Sequence, residues 1–409
     1  MIESNVSMTK APKGIRLHIA IFGRRNTGKS SVLNALTHQD VSIVSDVAGT
    51  TTDPVEKTME LLPIGPVLFI DTAGLDDVGV LGELRIKKTY DVFGRADIVL
   101  LVTEANVWGE YEEKVIEETG KRNTPILVVM NKSDLFGPDE NIKAKLDRKK
   151  IPHTEVSCLS YDWEVTHKIK SELIKLLPDD WIMPPPLITD LIKKGDTVIL
   201  VIPVDKEMPK GRLILPEQQV LREILDKKAS ALVINEKELS QAIDNLKKKP
   251  ALVVTDSQVF KEVFESTPSD IPVTSFSILF ARFKGDIKEL IKGAEKIDGL
   301  KPHDRVLIAE ACTHHPIGDD IGRIKIPRWI NQRVRGHIDF DVCAGHDFPE
   351  NLKQYKLIIH CGNCMLNRKE TLSRIYEARR QGVPITNYGV AIAYVHDNLK
   401  RAIEPLHLD

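Results

Sequence analysis

Residues 17–37 read LHIAIFGRRNTGKSSVLNALT, and this stretch decides the fold of the first part of the chain. The apolar run 17–22 predicts a buried strand, and SSVLNALT predicts the helix that follows. Between them, Gly23-Arg24-Arg25-Asn26-Thr27-Gly28-Lys29-Ser30 fits GxxxxGK[ST] in the strand-to-helix context that makes this pattern a phosphate loop. Its glycines let backbone N–H groups approach phosphate oxygens, and the helix N-terminus adds positive potential. Lys29 is expected on the β- and γ-phosphates of a nucleotide, with the Ser30 hydroxyl on Mg²⁺ and Gly23, Thr27, Gly28 and Ser31 framing the phosphates.

Further apolar runs at 67–71, 96–102 and 124–130 alternate with amphipathic segments, so a mostly parallel sheet covered on both faces is expected over 14–177. Motifs follow in the order of a guanine-nucleotide site. Val47-Ala-Gly-Thr-Thr-Thr-Asp53 supplies Thr51 as a second Mg²⁺ ligand that senses the γ-phosphate. The run VLFID delivers Asp71 at a strand C-terminal end, where ligands bind in parallel sheets, and the Gly74 N–H is expected to face the γ-phosphate. Asn131-Lys132-Ser133-Asp134 follows the next apolar strand. A carboxylate there accepts the paired N–H donors of guanine. Adenine lacks that pair and would leave the acceptors unpaired. Ser157 and Cys158 would close the base pocket, with Cys158 as a packing residue. These motifs predict a site for GTP or GDP and a GTP-hydrolysing activity.

Leu75 follows Asp71-Thr-Ala-Gly74, and a leucine cannot orient the attacking water as the usual glutamine does. This arrangement resembles the TrmE family of translational GTPases, in which a bound K⁺ activates hydrolysis. The resemblance implies Asn26 as the K⁺ ligand and Glu83, 12 residues beyond Asp71, as the residue that orients the water. The K⁺ would then play the part of an arginine finger.

The remaining 230 or so residues hold two more patterns. Met183-Pro-Pro-Pro186 cannot continue a helix and marks an extended linker. Residues 187–276 alternate strand (TVILVIPV, ALVIN, ALVVT) and helix without a phosphate loop or titratable cluster, so a structural or dimerisation domain is expected. Residues 277–409 open with one long predicted helix, SILFARFKGDIKELIKGAEKI, and continue as a third α/β unit.

In that third unit Cys312-Thr-His314 follows the strand DRVLIAEA, and His360-Cys361-Gly-Asn-Cys364 follows the strand KLIIH. Both groups stand at strand C-terminal ends, so the two loops are expected to meet at one end of a sheet. Three thiolates with one or two imidazoles suit either a tetrahedral zinc or an iron–sulfur cluster. Cys343, between the loops, reads as a small buried hydrophobe with a fourth ligand as the alternative, and His315 as a residue behind the ligands or on the surface. Ile317-Gly318-Asp319-Asp320 and the basic pair Arg333 and Arg335 receive no role.

The whole pattern resembles the HydF family, the GTPases of [FeFe]-hydrogenase maturation. The CTH…HCGNC signature carries the specificity, since the GTPase motifs are widely shared. The resemblance implies a [4Fe–4S] cluster on Cys312, Cys361 and Cys364, with His314 and His360 as candidate further ligands. It also implies a homodimer and a scaffold that carries a transient diiron precursor. That precursor would come from two radical-SAM maturases and pass to the apo-hydrogenase. The competing reading is a translational GTPase of tRNA modification or ribosome assembly with a zinc-binding tail.

Composition fits a cytoplasmic protein. Hydrophobic residues make up 42%, charged residues 28%, and the formal net charge is −2. No membrane or nucleic-acid partner is expected from such a balance. The N-terminus MIESNVSMTKAPKG has no apolar leader, and five cysteines in a long chain favour metal binding over a disulfide framework.

Overall fold

A computed structural model describes residues 12–37, 54–72, 89–137, 139–158, 163–203, 213–311, 320–363 and 365–408. The chain divides into two compact units, Met1–Pro184 and Pro185–Asp409.

The first unit is built on a six-stranded sheet of order β2-β3-β1-β4-β5-β6. The strands are β1 (Leu17–Phe22), β2 (Val55–Leu61), β3 (Gly65–Asp71), β4 (Ile98–Glu104), β5 (Ile126–Asn131) and β6 (His153–Glu155). All neighbours run parallel except β2, which pairs antiparallel with β3. β1 is buried along its whole length, as a central parallel strand covered on both faces must be. Apolar clusters lie on both faces. One contains Leu33, Leu36, Ile169 and Leu173, and the other contains Phe93, Tyr111, Val115 and Leu146. Helices α1 (Lys29–Thr37), α2 (Glu110–Lys121), α3 (Glu140–Arg148) and α4 (Trp163–Lys175) supply these side chains together with the helical residues 89–95. Strand β2 escapes a hydrophobicity reading because VEKTMEL is half-exposed at the sheet edge.

The second unit holds two four-stranded, all-parallel sheets. The first has the order β10-β9-β7-β8, from β7 (Thr197–Val201), β8 (Ser230–Ile234), β9 (Leu252–Thr255) and β10 (Val273–Ser275), with the helices α5 (Leu215–Asp226), α6 (Leu239–Asp244) and α7 (Phe260–Ser266) in the same segment. The second has the order β12-β11-β13-β14, from β11 (Arg305–Glu310), β12 (Asp339–Ala344), β13 (Leu357–His360) and β14 (Ile385–Asn387).

The long predicted helix over 277–297 is two helices, α8 (Phe276–Lys284) and α9 (Ile287–Ala294). The break is local chemistry. Gly285 ends α8 with an extended backbone, and the Asp286 carboxylate accepts the Glu289 N–H to cap α9. Helix α8 is apolar nearly all round and buries Phe276, Ile278, Leu279, Phe280, Ala281 and Lys284. It contacts β10 and the helix Leu215–Asp226 in the first half, and the helices Arg368–Arg380 and Tyr388–Val395 in the second. The two sheets therefore share one continuous apolar core rather than two.

Candidate functional sites

The phosphate loop leaves β1 and enters α1. Gly23 lies so close to β4 that an added Cβ would stand 2.3 Å from the Val102 carbonyl oxygen. Gly28 has φ +90°, and a Cβ there would meet Asn131 Nδ2 at 2.2 Å. Only glycine serves at these two positions. Asn26 takes a left-handed conformation, φ 64°, which asparagine tolerates. Lys29 Nζ donates to the carbonyls of Gly23 at 2.8 Å and Arg24 at 2.9 Å. Thr27 Oγ1 also donates to Arg24 O at 3.0 Å. Ser30 and Ser31 occupy the first turn of α1.

Helix α2 anchors the loop from outside, through residues that no motif marks. Arg24 forms a two-pronged pair with Glu112, both hydrogen bonds being 2.8 Å, and the Glu112 carboxylate is fully buried. That carboxylate also accepts the Gly109 N–H at 2.8 Å, and Tyr111 OH accepts the Gly23 N–H at 3.0 Å. The one signal in the sequence is Gly109 three residues before Glu112, a spacing suited to a helix start.

Asp71 ends β3, and burial lifts its carboxyl to about 6 against the lowering influence of the Lys29 charge and the Thr72 N–H. Among the described residues its buried Oδ1 has no hydrogen-bond partner. A buried acceptor left unpaired beside a phosphate loop suits hydrated Mg²⁺, whose waters donate to such an atom.

The base-side residues converge on Asn131, which is buried. Its Nδ2 donates to Thr27 O at 3.0 Å, and its Oδ1 accepts the Cys158 N–H at 3.1 Å. Ser157 Oγ donates to Asp134 Oδ1 at 2.5 Å. Lys132 adopts φ 60° and pairs with Glu104. Burial pushes the Cys158 thiol up to about 11, which makes it an inert packing group. Thr51, Gly74 and Glu83 lie outside the described residues.

In the second unit, Cys361 follows β13 directly. Its N–H donates to Ala309 O at 2.9 Å, and its Sγ accepts the N–H of Ala311 at 3.0 Å. Ala311 is the residue before Cys312. Cys312, His314 and Cys364 lie outside the described residues, so of the five candidate ligands only His360 and Cys361 are described. Among the described residues no group of three or more His, Cys, Asp or Glu side chains is arranged for a metal ion.

His360 is fully buried, and burial first, then the Arg374 charge, pushes its pKa down to about 3. The ring is therefore neutral, with Nε2 accepting from Arg374 Nη1 at 3.2 Å. Arg374 is held in turn by Glu370 Oε1 at 2.8 Å and Gly345 O at 2.7 Å. Burial raises the Cys343 thiol to about 11, and that side chain packs against the core. Arg333 is taken up by Asp298 and Asp397, which accounts for it structurally.

Two family models, described as the hydrogen maturase F dimerization domain and the hydrogen maturase F tetramerization domain, match residues 187–285 and 288–405. The chain belongs to the hydrogen maturase F family. A third model, described as a 50S ribosome-binding GTPase, matches residues 18–132. In this hydrogen maturase F chain the segment that carries the cysteines is thus also the segment of the tetramerization model. The family resemblance of the sequence implies a dimer and no further.

Curated relatives match part of the chain. The GTPase Der of Wolinella succinogenes is 40% identical over 137 residues, 32% of this chain and 28% of its own. The tRNA modification GTPase MnmE of Lactobacillus helveticus is 46% identical over 124 residues, 29% of this chain and 26% of its own. The chain therefore spans only about a quarter of the length of these relatives. A crystal structure of an Aquifex aeolicus Era variant bound to GDP and AlF₄⁻ overlaps 53% of this chain and 93% of its own, at 23% identity and a TM-score of 0.34. Among the described residues no helix is long and apolar enough to cross a membrane.

Proposed function

We propose that this chain is a GTP-hydrolysing maturation factor of [FeFe]-hydrogenase that holds an iron–sulfur cluster and carries a diiron precursor to the apo-enzyme. The observation that carries the cluster half is the Ala311 N–H directed at Cys361 Sγ, at the C-terminal ends of β11 and β13. An N–H donated to sulfur stabilises a thiolate ligand. Cys312, Cys361 and Cys364 are the residues that would hold the cluster, which would supply an iron–sulfur centre able to bind the diiron precursor. His360 suits a supporting place better than a ligand's, because its Nε2 lone pair already faces Arg374.

In the nucleotide half, Lys29 exchanges two loop carbonyls for the β- and γ-phosphate oxygens when GTP enters. Asp134, oriented by Ser157, reads the guanine N–H pair. Asp71, Ser30 and Thr51 would hold Mg²⁺. When bound, Mg²⁺ and K⁺ supply charge compensation at the γ-phosphate. Asn26 is the K⁺ ligand and Glu83 orients the attacking water. Hydrolysis then changes contacts with the two radical-SAM maturases and the hydrogenase, within a homo-oligomer built through 187–285 and 288–405.

The test is purification of the full chain without oxygen. The expected result is brown absorption near 400 nm that dithionite bleaches, with about four irons and four sulfides per chain. A colourless protein with one zinc would overturn the cluster and favour the translational reading, to which the name of the tRNA modification GTPase MnmE points.

A further inference from the structure

Lys284 ends α8 with only 2% of its surface exposed. Its Nζ donates to Asn363 O at 2.9 Å and to Leu366 O at 2.8 Å. These two carbonyls flank Cys364 and belong to the loop that begins at Cys361. The Lys284 ammonium also lies 5.7 Å from the Phe280 ring centre. A lysine is almost never this buried unless something repays its lost hydration. What the loop offers it here is main-chain oxygen. Asn363, beside those oxygens, takes φ 53° and donates from Nδ2 to Thr371 Oγ1 at 3.3 Å. The loop and Lys284 line one small pocket together with Cys361, His360 and Phe280.

We infer that Lys284 is a positioning residue for the cysteine loop, which holds the main chain on both sides of the CxxC turn for cluster binding and places a fixed positive charge in the pocket that Cys361 lines. The inference rests on the cluster reading above. Its structural content is separate, because Lys284 lies in the segment of the dimerization model (187–285) and the loop lies in that of the tetramerization model (288–405). One lysine thus ties the metal loop of one module to the last helix of the other. A buried cation favours the thiolate form of nearby cysteines and raises the reduction potential of a cluster they hold.

The experiment uses the full chain and the variants Lys284→Met and Lys284→Arg, reconstituted anaerobically with ferrous iron and sulfide. Lys284→Met should lose its iron to a chelator about ten-fold faster or more, as expected when a charge-assisted tie worth at least a factor of ten is cut. The potential of its remaining cluster should move to more negative values, and Lys284→Arg should restore both. A cluster of unchanged lifetime and potential in Lys284→Met overturns the inference. A wild-type chain that takes up no iron overturns the cluster reading instead. Hydrogen exchange on the iron-free wild-type protein tests the tie without any variant. Amides of 361–366 should open together with those of 276–284, and independent, faster opening of the loop overturns the clamp.

Discussion

The side-chain amide of Asn131 bridges Thr27 and Cys158, donating to the carbonyl of the first at 3.0 Å and accepting the N–H of the second at 3.1 Å. One buried side chain thereby locks the phosphate loop to both base-side segments. Asn131→Ala should weaken GDP binding and lower stability together, by about 1–3 kcal/mol for each group left unpaired. Titration with a fluorescent guanine nucleotide and thermal melting read the two effects. A variant with intact stability and weak binding would show that the bridge orients the base site alone.

Arg24 and Glu112 make the second lock. Arg24→Ala leaves the fully buried Glu112 carboxylate with the Gly109 N–H as its remaining partner among the described residues. The expected cost is about 1.5–3 kcal/mol, seen as weaker nucleotide binding and a lower melting temperature. Glu112→Gln keeps the shape and removes the charge, so it should fall between wild type and Arg24→Ala.

Glu217 carries a pH dependence. Burial and the neighbouring Asp256 hold its carboxyl up at about 7, against the lowering influence of the Ile214 N–H. Among the described residues its buried Oε1 has no hydrogen-bond partner. The folded pKa exceeds the unfolded value, so this group favours folding fully below about pH 4.5 and loses that contribution as pH rises through about 7. The loss is on the order of 3 kcal/mol. Glu217→Gln should be the more stable chain at pH 8 and close to wild type at pH 4.5, as urea melts at the two pH values would show.

Cysteine replacements separate ligands from packing. Cys361→Ala should lose most of its iron under anaerobic reconstitution. Cys343→Ala should keep its iron and lose only the stability of a half-buried thiol, about 1 kcal/mol. Iron loss in Cys343→Ala would make it a ligand.

Replacing K⁺ by Na⁺ should slow GTP hydrolysis, and Asn26→Ala should erase the difference between the two salts. An unchanged ratio in the variant would remove Asn26 from the cation's coordination.

Much of the first unit is legible in residues 17–37 because a phosphate loop, a buried strand and a helix start impose local demands on neighbouring residues. Gly23 and Gly28 are required by contacts with Val102 and Asn131, and both stand in the motif itself, where the spacing alone marks them. Arg24, Tyr111 and Glu112 leave no such mark, because the bonds that join α2 to the loop span 88 residues of chain. A bidentate pair across that separation follows from sheet order and not from spacing. The same holds for β2, whose half-exposed edge position gives no apolar signal.

The phosphate loop, the order of the nucleotide motifs and the two cysteine-bearing strand ends can all be read without a fold, since each is a short pattern with its own chemistry. Long-range packing settles the remainder of the second unit. Gly285 and Asp286 split the predicted helix, α8 merges two sheets into one core, and Lys284 is buried as a tie on the Cys361 loop. The physical reason is that burial of a charged side chain depends on which distant backbone carbonyls meet it, and only the folded chain brings Lys284 to Asn363 and Leu366.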